Sequence, residues 1–103
     1  MLFRSIGRGT RVGPHAVITG HTTVGEGNLI FQFASVGSPP QDMKYQGEKS
    51  QLVIGDGNII REFASLNPGT AHGGMVTCVG NQNLFMNYSH VAHDCVIDRK
   101  SVV

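Results

Sequence analysis

The chain has no Trp, two Cys and four Pro in 103 residues, and only 15% of it is charged. Each shortage excludes something. Cys78 and Cys95 are too few for a disulfide framework and default to free thiols. A formal net charge of +1 gives no broad field for nucleic acid or an anionic membrane. No apolar run approaches the ~20 residues of a membrane span. The opening "MLFRSIGRGT" has an Arg with no apolar stretch behind it, unlike a secretory signal. The expectation is a cytoplasmic chain with no integral membrane segment and no nucleic-acid partner. Helical periodicity and simple two-residue alternation are missing as well. Glycine, by contrast, is abundant, at 14 residues, and points to turn-rich β architecture.

A period of six replaces the usual patterns. Stepping from Ile6 gives Val12, Ile18, Val24, Ile30 and Val36; the register fails at Asp42 and Glu48, then returns at Ile54, Ile60 and Leu66. It restarts one residue out of phase at Val79, Phe85, Val91, Ile97 and Val103. All fourteen in-phase residues are apolar. Four residues after these come short side chains: Thr10, Ala16, Thr22, Asn28, Ala34, Asn58, Ala64, Thr70, Asn83, Ser89, Cys95 and Ser101. Each hexad therefore reads as one short strand with an aliphatic residue pointing inward, followed by a narrow corner where small residues and glycine fit. Three hexads close a triangular coil, and stacked coils pair in parallel around an aliphatic column. The fold class is all-β, a hexapeptide-repeat parallel β-helix.

The breaks are expected to leave that column as loops. "SPPQDMKYQGEKSQ" puts Asp42 and Glu48 where aliphatics belong, and "NPGTAHGGMVTC" is rich in glycine. The excursions are placed at about 38–51 and 67–78, where binding residues concentrate on a rigid scaffold. The repeat starts almost at the first residue and stops at "SVV" in mid-coil, with no capping segment. Residues 1–103 are thus expected to be one β-helix fragment, truncated at both ends.

"NYSHVAHDCV" carries the chemistry-bearing side chains. With Val91 inward, His90 and His93 are expected to project outward, and Cys95 takes a small corner position. Three readings are open, the plainest being solvated surface histidines on a structural repeat. A zinc site like that of solenoid-type carbonic anhydrases needs a third ligand, from His72 or another subunit. A general base needs His93 with a carboxylate to fix its tautomer, and Asp94 is adjacent. Neighbours on a strand point opposite ways, so that contact requires the corner to turn Asp94 back. Either chemical reading calls for a facing wall, which trimerisation would provide.

The chain resembles the UDP-N-acetylglucosamine acyltransferase family, on "GHTTVGEGNLIFQFASVGSPPQDMKYQGE", "IGDGNIIREFASLNPGT" and "NYSHVAHDCV". The "QDxKYxGE" loop together with "HxAHDC" is specific to that family; the hexapeptide repeat alone is not. The resemblance implies a left-handed helix and a homotrimer with sites between subunits. It implies transfer of an (R)-3-hydroxyacyl group from acyl carrier protein to the 3-hydroxyl of UDP-N-acetylglucosamine, the first step of lipid A biosynthesis, with no cofactor and no metal. It makes His93 the general base and Asp94 its orienting acid, and gives Gln41, Asp42, Lys44 and His90 to substrate binding. Cys95 ranks low as a nucleophile, since a thioester donor is already activated. The sequence also departs from the family. The family's later coils, with its oxyanion-hole glycine, have no counterpart before Val103, and "NPGT" lacks the usual basic residue before "GT". An inactive remnant that at most binds nucleotide sugar is the non-enzymatic alternative.

Overall fold

The computed structural model describes residues 4–103. Met1–Phe3, part of the opening read above as no secretory signal, lies outside the described residues. The chain winds as successive coils. The first holds β1 (Arg4–Ile6), β2 (Arg11–Val12) and β3 (Val17–Ile18); the second holds β4 (His21–Val24), β5 (Leu29–Ile30) and β6 (Ser35–Val36). The third holds β7 (Gln51–Ile54), β8 (Ile59–Ile60) and β9 (Ser65–Leu66); the fourth holds β10 (Val76–Val79), β11 (Leu84–Phe85) and β12 (His90–Val91). β13 (Val96–Ile97) opens a fifth. Strands one coil apart pair in parallel, giving three sheets: β1-β4-β7-β10-β13, β2-β5-β8-β11 and β3-β6-β9-β12. No helix occurs among the described residues.

The period of six is the core. Val24, Ile30, Val36, Ile54, Ile60, Leu66, Val79, Phe85 and Val91 are all buried, joined by Leu52, Ala34 and Ala64. Each of the larger side chains, the two alanines aside, contributes roughly 1.5–3 kcal/mol on leaving water, which offsets the cost of ordering so many turns. Burial falls off along the axis. Ile60 is 0% exposed, whereas Ile6 in the first coil is 48% exposed.

Two of the three corners have ladders of their own. At the first, Asn28, Asn58 and Asn83 are buried and linked. Asn58 donates its amide N–H to Asn28 Oδ1 at 2.7 Å, and its Nδ2 donates to Gly80 O at 2.9 Å. Asn83 N donates in turn to Asn58 Oδ1 at 2.9 Å. The side-chain amides thus satisfy backbone groups that the turns leave unpaired. At the second corner His15, Phe33, Phe63 and Tyr88 take left-handed φ of 60 to 64°. Their rings stack with centroids 5.4, 5.5 and 5.1 Å apart. Such backbone costs non-glycine residues roughly 1–2 kcal/mol each, and ring contact offsets part of it.

The third corner, from the β3-β6-β9-β12 sheet to the β1-β4 sheet, is where the coil opens. Residues 37–50 and 67–75 lie outside strands there. Register partners are normally 18 residues apart, as for Ile6 and Val24, but 30 apart for Val24 and Ile54, and 25 for Ile54 and Val79. The first surplus is a multiple of six and preserves the phase; the second is one more than six and shifts it by one.

Candidate active site

His93 and Asp94 sit in the turn between β12 and β13, at the same corner that releases both excursions one and two coils earlier. Asp94 adopts φ 64°, a left-handed corner conformation. This meets the condition that sequence left open, because the corner turns the carboxylate back beside its neighbour. His93 Nδ1 lies 3.0 Å from Asp94 Oδ2. The side chains are 35% and 13% exposed respectively, so the imidazole reaches solvent while the carboxylate is tucked in.

The 67–75 excursion holds the carboxylate. Thr70 N donates to Asp94 Oδ1 at 2.8 Å, and Thr70 Oγ1 donates to Oδ2 at 2.6 Å. Asp94 N donates to Thr77 Oγ1 at 2.8 Å, fixing the backbone as well. Gly73 leaves the necessary space: a Cβ there would lie 2.1 Å from Asp94 Oδ2 and 2.2 Å from Cγ. Burial is the largest influence on the Asp94 carboxyl and pushes its pKa up. The Thr70 hydroxyl, the Thr70 amide and His93 together outweigh it, and the pKa lies below the usual value. An ionised Asp94 accepts only, so it selects the tautomer of His93 with the proton on Nδ1, in which Nε2 has the free lone pair. Such an arrangement can abstract a proton from a hydroxyl presented to Nε2.

His90 is exposed on β12, and its Nδ1 lies 2.6 Å from Ser65 Oγ, its register partner on β9. Gln41 and Lys44 are exposed on the first excursion, and Asp42 is half-buried. Asp42 Oδ1 accepts from Lys44 N at 3.0 Å. Among the described residues no hydrogen bond or ion pair joins these three side chains directly to His90 or His93. The two excursions do meet, however, where Glu48 Oε2 accepts from Ala71 N at 3.2 Å. His72 lines a shallow pocket there with Lys44, Gln46 and Glu48. Cys95 packs against the core and Cys78 is half-buried; both are free thiols. Among the described residues no three His, Cys, Asp or Glu side chains converge as metal ligands would.

Thr70 is the partner of Asp94 that sequence reasoning passed over. It stands among the short corner residues of the repeat, and nothing in the hexad marks its hydroxyl as a carboxylate partner.

No protein-family model matches the chain. The chain is 50% identical over 93 residues to the acyl-[acyl-carrier-protein]–UDP-N-acetylglucosamine O-acyltransferase of Psychrobacter sp. strain PRwf-1, covering 90% of this chain and 36% of that one. It is 48% identical over 86 residues to the enzyme of the same name from Psychromonas ingrahamii, covering 84% and 33%. The crystal structure of LpxA from Acinetobacter baumannii superposes with a TM-score of 0.95 at 45% identity, over 96% of this chain and 38% of that one. The solenoid is accordingly the left-handed parallel β-helix of these proteins. In sequence and in fold, the chain belongs to the UDP-N-acetylglucosamine O-acyltransferase family, over a stretch about a third as long as the curated relatives it matches.

Proposed function

We propose that this chain carries the base side of an acyl-transfer site, with His93 as general base and Asp94 as the group that orients it. The reaction is transfer of an (R)-3-hydroxyacyl group from acyl carrier protein to the 3-hydroxyl of UDP-N-acetylglucosamine, the first step of lipid A biosynthesis. Nε2 of His93 takes the hydroxyl proton as the oxygen attacks the thioester carbonyl. The C–O bond forms, the C–S bond breaks, and the proton passes on to the departing thiolate. Asp94 stays charged throughout and steadies the imidazolium. Gln41, Asp42, Lys44 and His90 are assigned to the nucleotide sugar. The outward exposure of His90 and His93 favours a site completed by a neighbouring copy, in a cytoplasmic homotrimer.

The observation that carries this reading is the 3.0 Å contact of His93 Nδ1 with a carboxylate that Thr70 already holds by two hydrogen bonds. A metal-binding histidine needs converging ligands, whereas a base needs one oriented partner. The test is to graft residues 6–103 in place of the matching stretch of the Acinetobacter baumannii enzyme and assay acyl transfer. His93→Ala is expected to lower the rate by about 10²–10⁴. A variant within a few-fold of the unmutated graft would rule out the role.

A further inference from the structure

Glu48 is marked by the hexad frame and left unused by the base reading. It occupies an in-phase position where an aliphatic residue would be buried, and bears a carboxylate instead. The two oxygens of that carboxylate serve different loops. Oε1 accepts from the amide of Gln46 within its own excursion, and Oε2 accepts from the amide of Ala71 in the other, at 3.2 Å. Glu48 is itself held, since the Tyr45 hydroxyl donates to its carbonyl at 3.0 Å and Ser50 N does so at 2.8 Å. Tyr45 N donates in turn to Asp42 O at 3.0 Å, closing the turn that presents Asp42 and Lys44. On the far side, Ala71 directly follows Thr70, whose amide and hydroxyl hold Asp94. A continuous run therefore leads from Asp42 through Tyr45, Glu48 and Thr70 to Asp94 and His93.

We propose that Glu48 is a positioning residue that ties the loop bearing Gln41, Asp42 and Lys44 to the loop holding Asp94, so that sugar contacts and base keep a fixed separation. This deepens the base reading of His93 and rests on it. Two N–H donors call for two acceptor oxygens. A glutamine supplies one, and its NH2 group would face the second donor. The Gln46 amide and then Glu48's own amide, with smaller help from Ala71 and the nearby His72, outweigh burial and hold the Glu48 carboxyl below its usual pKa, so it is ionised at neutral pH. Length matters equally. Shortening the side chain by one methylene spares the contact two residues away and removes the reach to the other loop.

The test compares the chain with its E48D, T70V and E48D/T70V variants, by amide hydrogen exchange and by the ¹⁵N shifts of the His93 ring. E48D is expected to speed exchange at Ala71 and Thr70 about tenfold, the order of one charge-assisted hydrogen bond, while leaving Gln46 unchanged. At His93 the double variant should be no worse than T70V alone, because both changes cut the same run. Unaltered exchange at Ala71, or strictly additive effects at His93, would overturn the proposal. In the Acinetobacter graft, E48D is expected to raise KM for the nucleotide sugar more than it lowers kcat, with the reverse for His93→Ala. Full activity of His93→Ala would remove the base reading on which this rests. An inactive His93→Ala beside an E48D variant of unchanged KM would remove the tie alone.

Discussion

Replacing Thr70 by Val tests whether one hydroxyl keeps Asp94 charged and in place. The substitution keeps shape at a site 2% exposed and deletes the donor that lies 2.6 Å from Asp94 Oδ2, along with the longer 3.3 Å acceptor contact to Gly73 N. A hydrogen bond to a charged acceptor is worth about 1.5–3 kcal/mol, so the variant should lose about 2 kcal/mol at neutral pH. The loss should also depend on pH, in a definite direction. Burial raises the Asp94 pKa, and the Thr70 hydroxyl heads the influences that bring it below the usual value. A carboxyl lowered in the folded state adds stability above its unfolded pKa of about 3.9, and that contribution is lost as pH falls through the folded value. Without the hydroxyl the folded pKa rises, so less of this contribution exists to lose. The gap between the two proteins should therefore be widest near neutrality and narrow below about pH 4. Urea midpoints at about pH 7 and about pH 2.5, with a ¹³C titration of the Asp94 carboxyl, would measure both effects. An equal gap at the two pH values, or an Asp94 titration that does not move upward, would refute the reasoning.

Four further substitutions probe the scaffold and the space around the site. Gly73→Ala places a methyl where Asp94 Oδ2 and Cγ already lie 2.1 and 2.2 Å away. It is expected to cost about 1–3 kcal/mol and to shift the ¹⁵N signals of His93, which unchanged ring signals would contradict. Asn58→Ala removes the partners of Asn83 N and Gly80 O inside a buried corner. A loss of about 2–4 kcal/mol in urea unfolding is expected, and a cost below about 1 kcal/mol would mean the ladder is not needed. Ile60→Ala should cost about 3 kcal/mol, and Ile6→Ala, which is already half exposed, about 1 kcal/mol or less. Equal losses would deny the gradient of burial along the axis.

The column was legible because burial selects one residue type at one interval. Nine of the fourteen in-phase residues, Val24 to Val36, Ile54 to Leu66 and Val79 to Val91, are the buried column, while those of the outer coils are exposed or half-buried. The first excursion was marked by failures of the same rule at Asp42 and Glu48. The expected spans of about 38–51 and 67–78 ran too far, however, since Gln51 belongs to β7 and residues 76–78 to β10. The site was legible only in part. His93 and Asp94 could be named as neighbours, but their contact depends on a left-handed φ at Asp94, and an aspartate letter does not announce its own dihedral. Thr70 lies 24 residues from its partner, so only the stacking of one coil on the next brings them together. The aromatic corner went unread for a different reason. His15, Phe33, Phe63 and Tyr88 each follow an in-phase residue by three, a position that carries neither the aliphatic nor the short-side-chain signal of the hexad.

Pairing between adjacent turns, rather than distance counted along the polymer, resets the strands after each excursion. One insertion keeps step with the hexads and the other slips it by a single residue, yet both rejoin their neighbours in proper alignment. Loop length at this corner is consequently a free variable. Segments grafted there can be lengthened or shortened, provided Thr70 and Gly73 still meet Asp94 and Glu48 still reaches Ala71, while the struts beneath remain as they were.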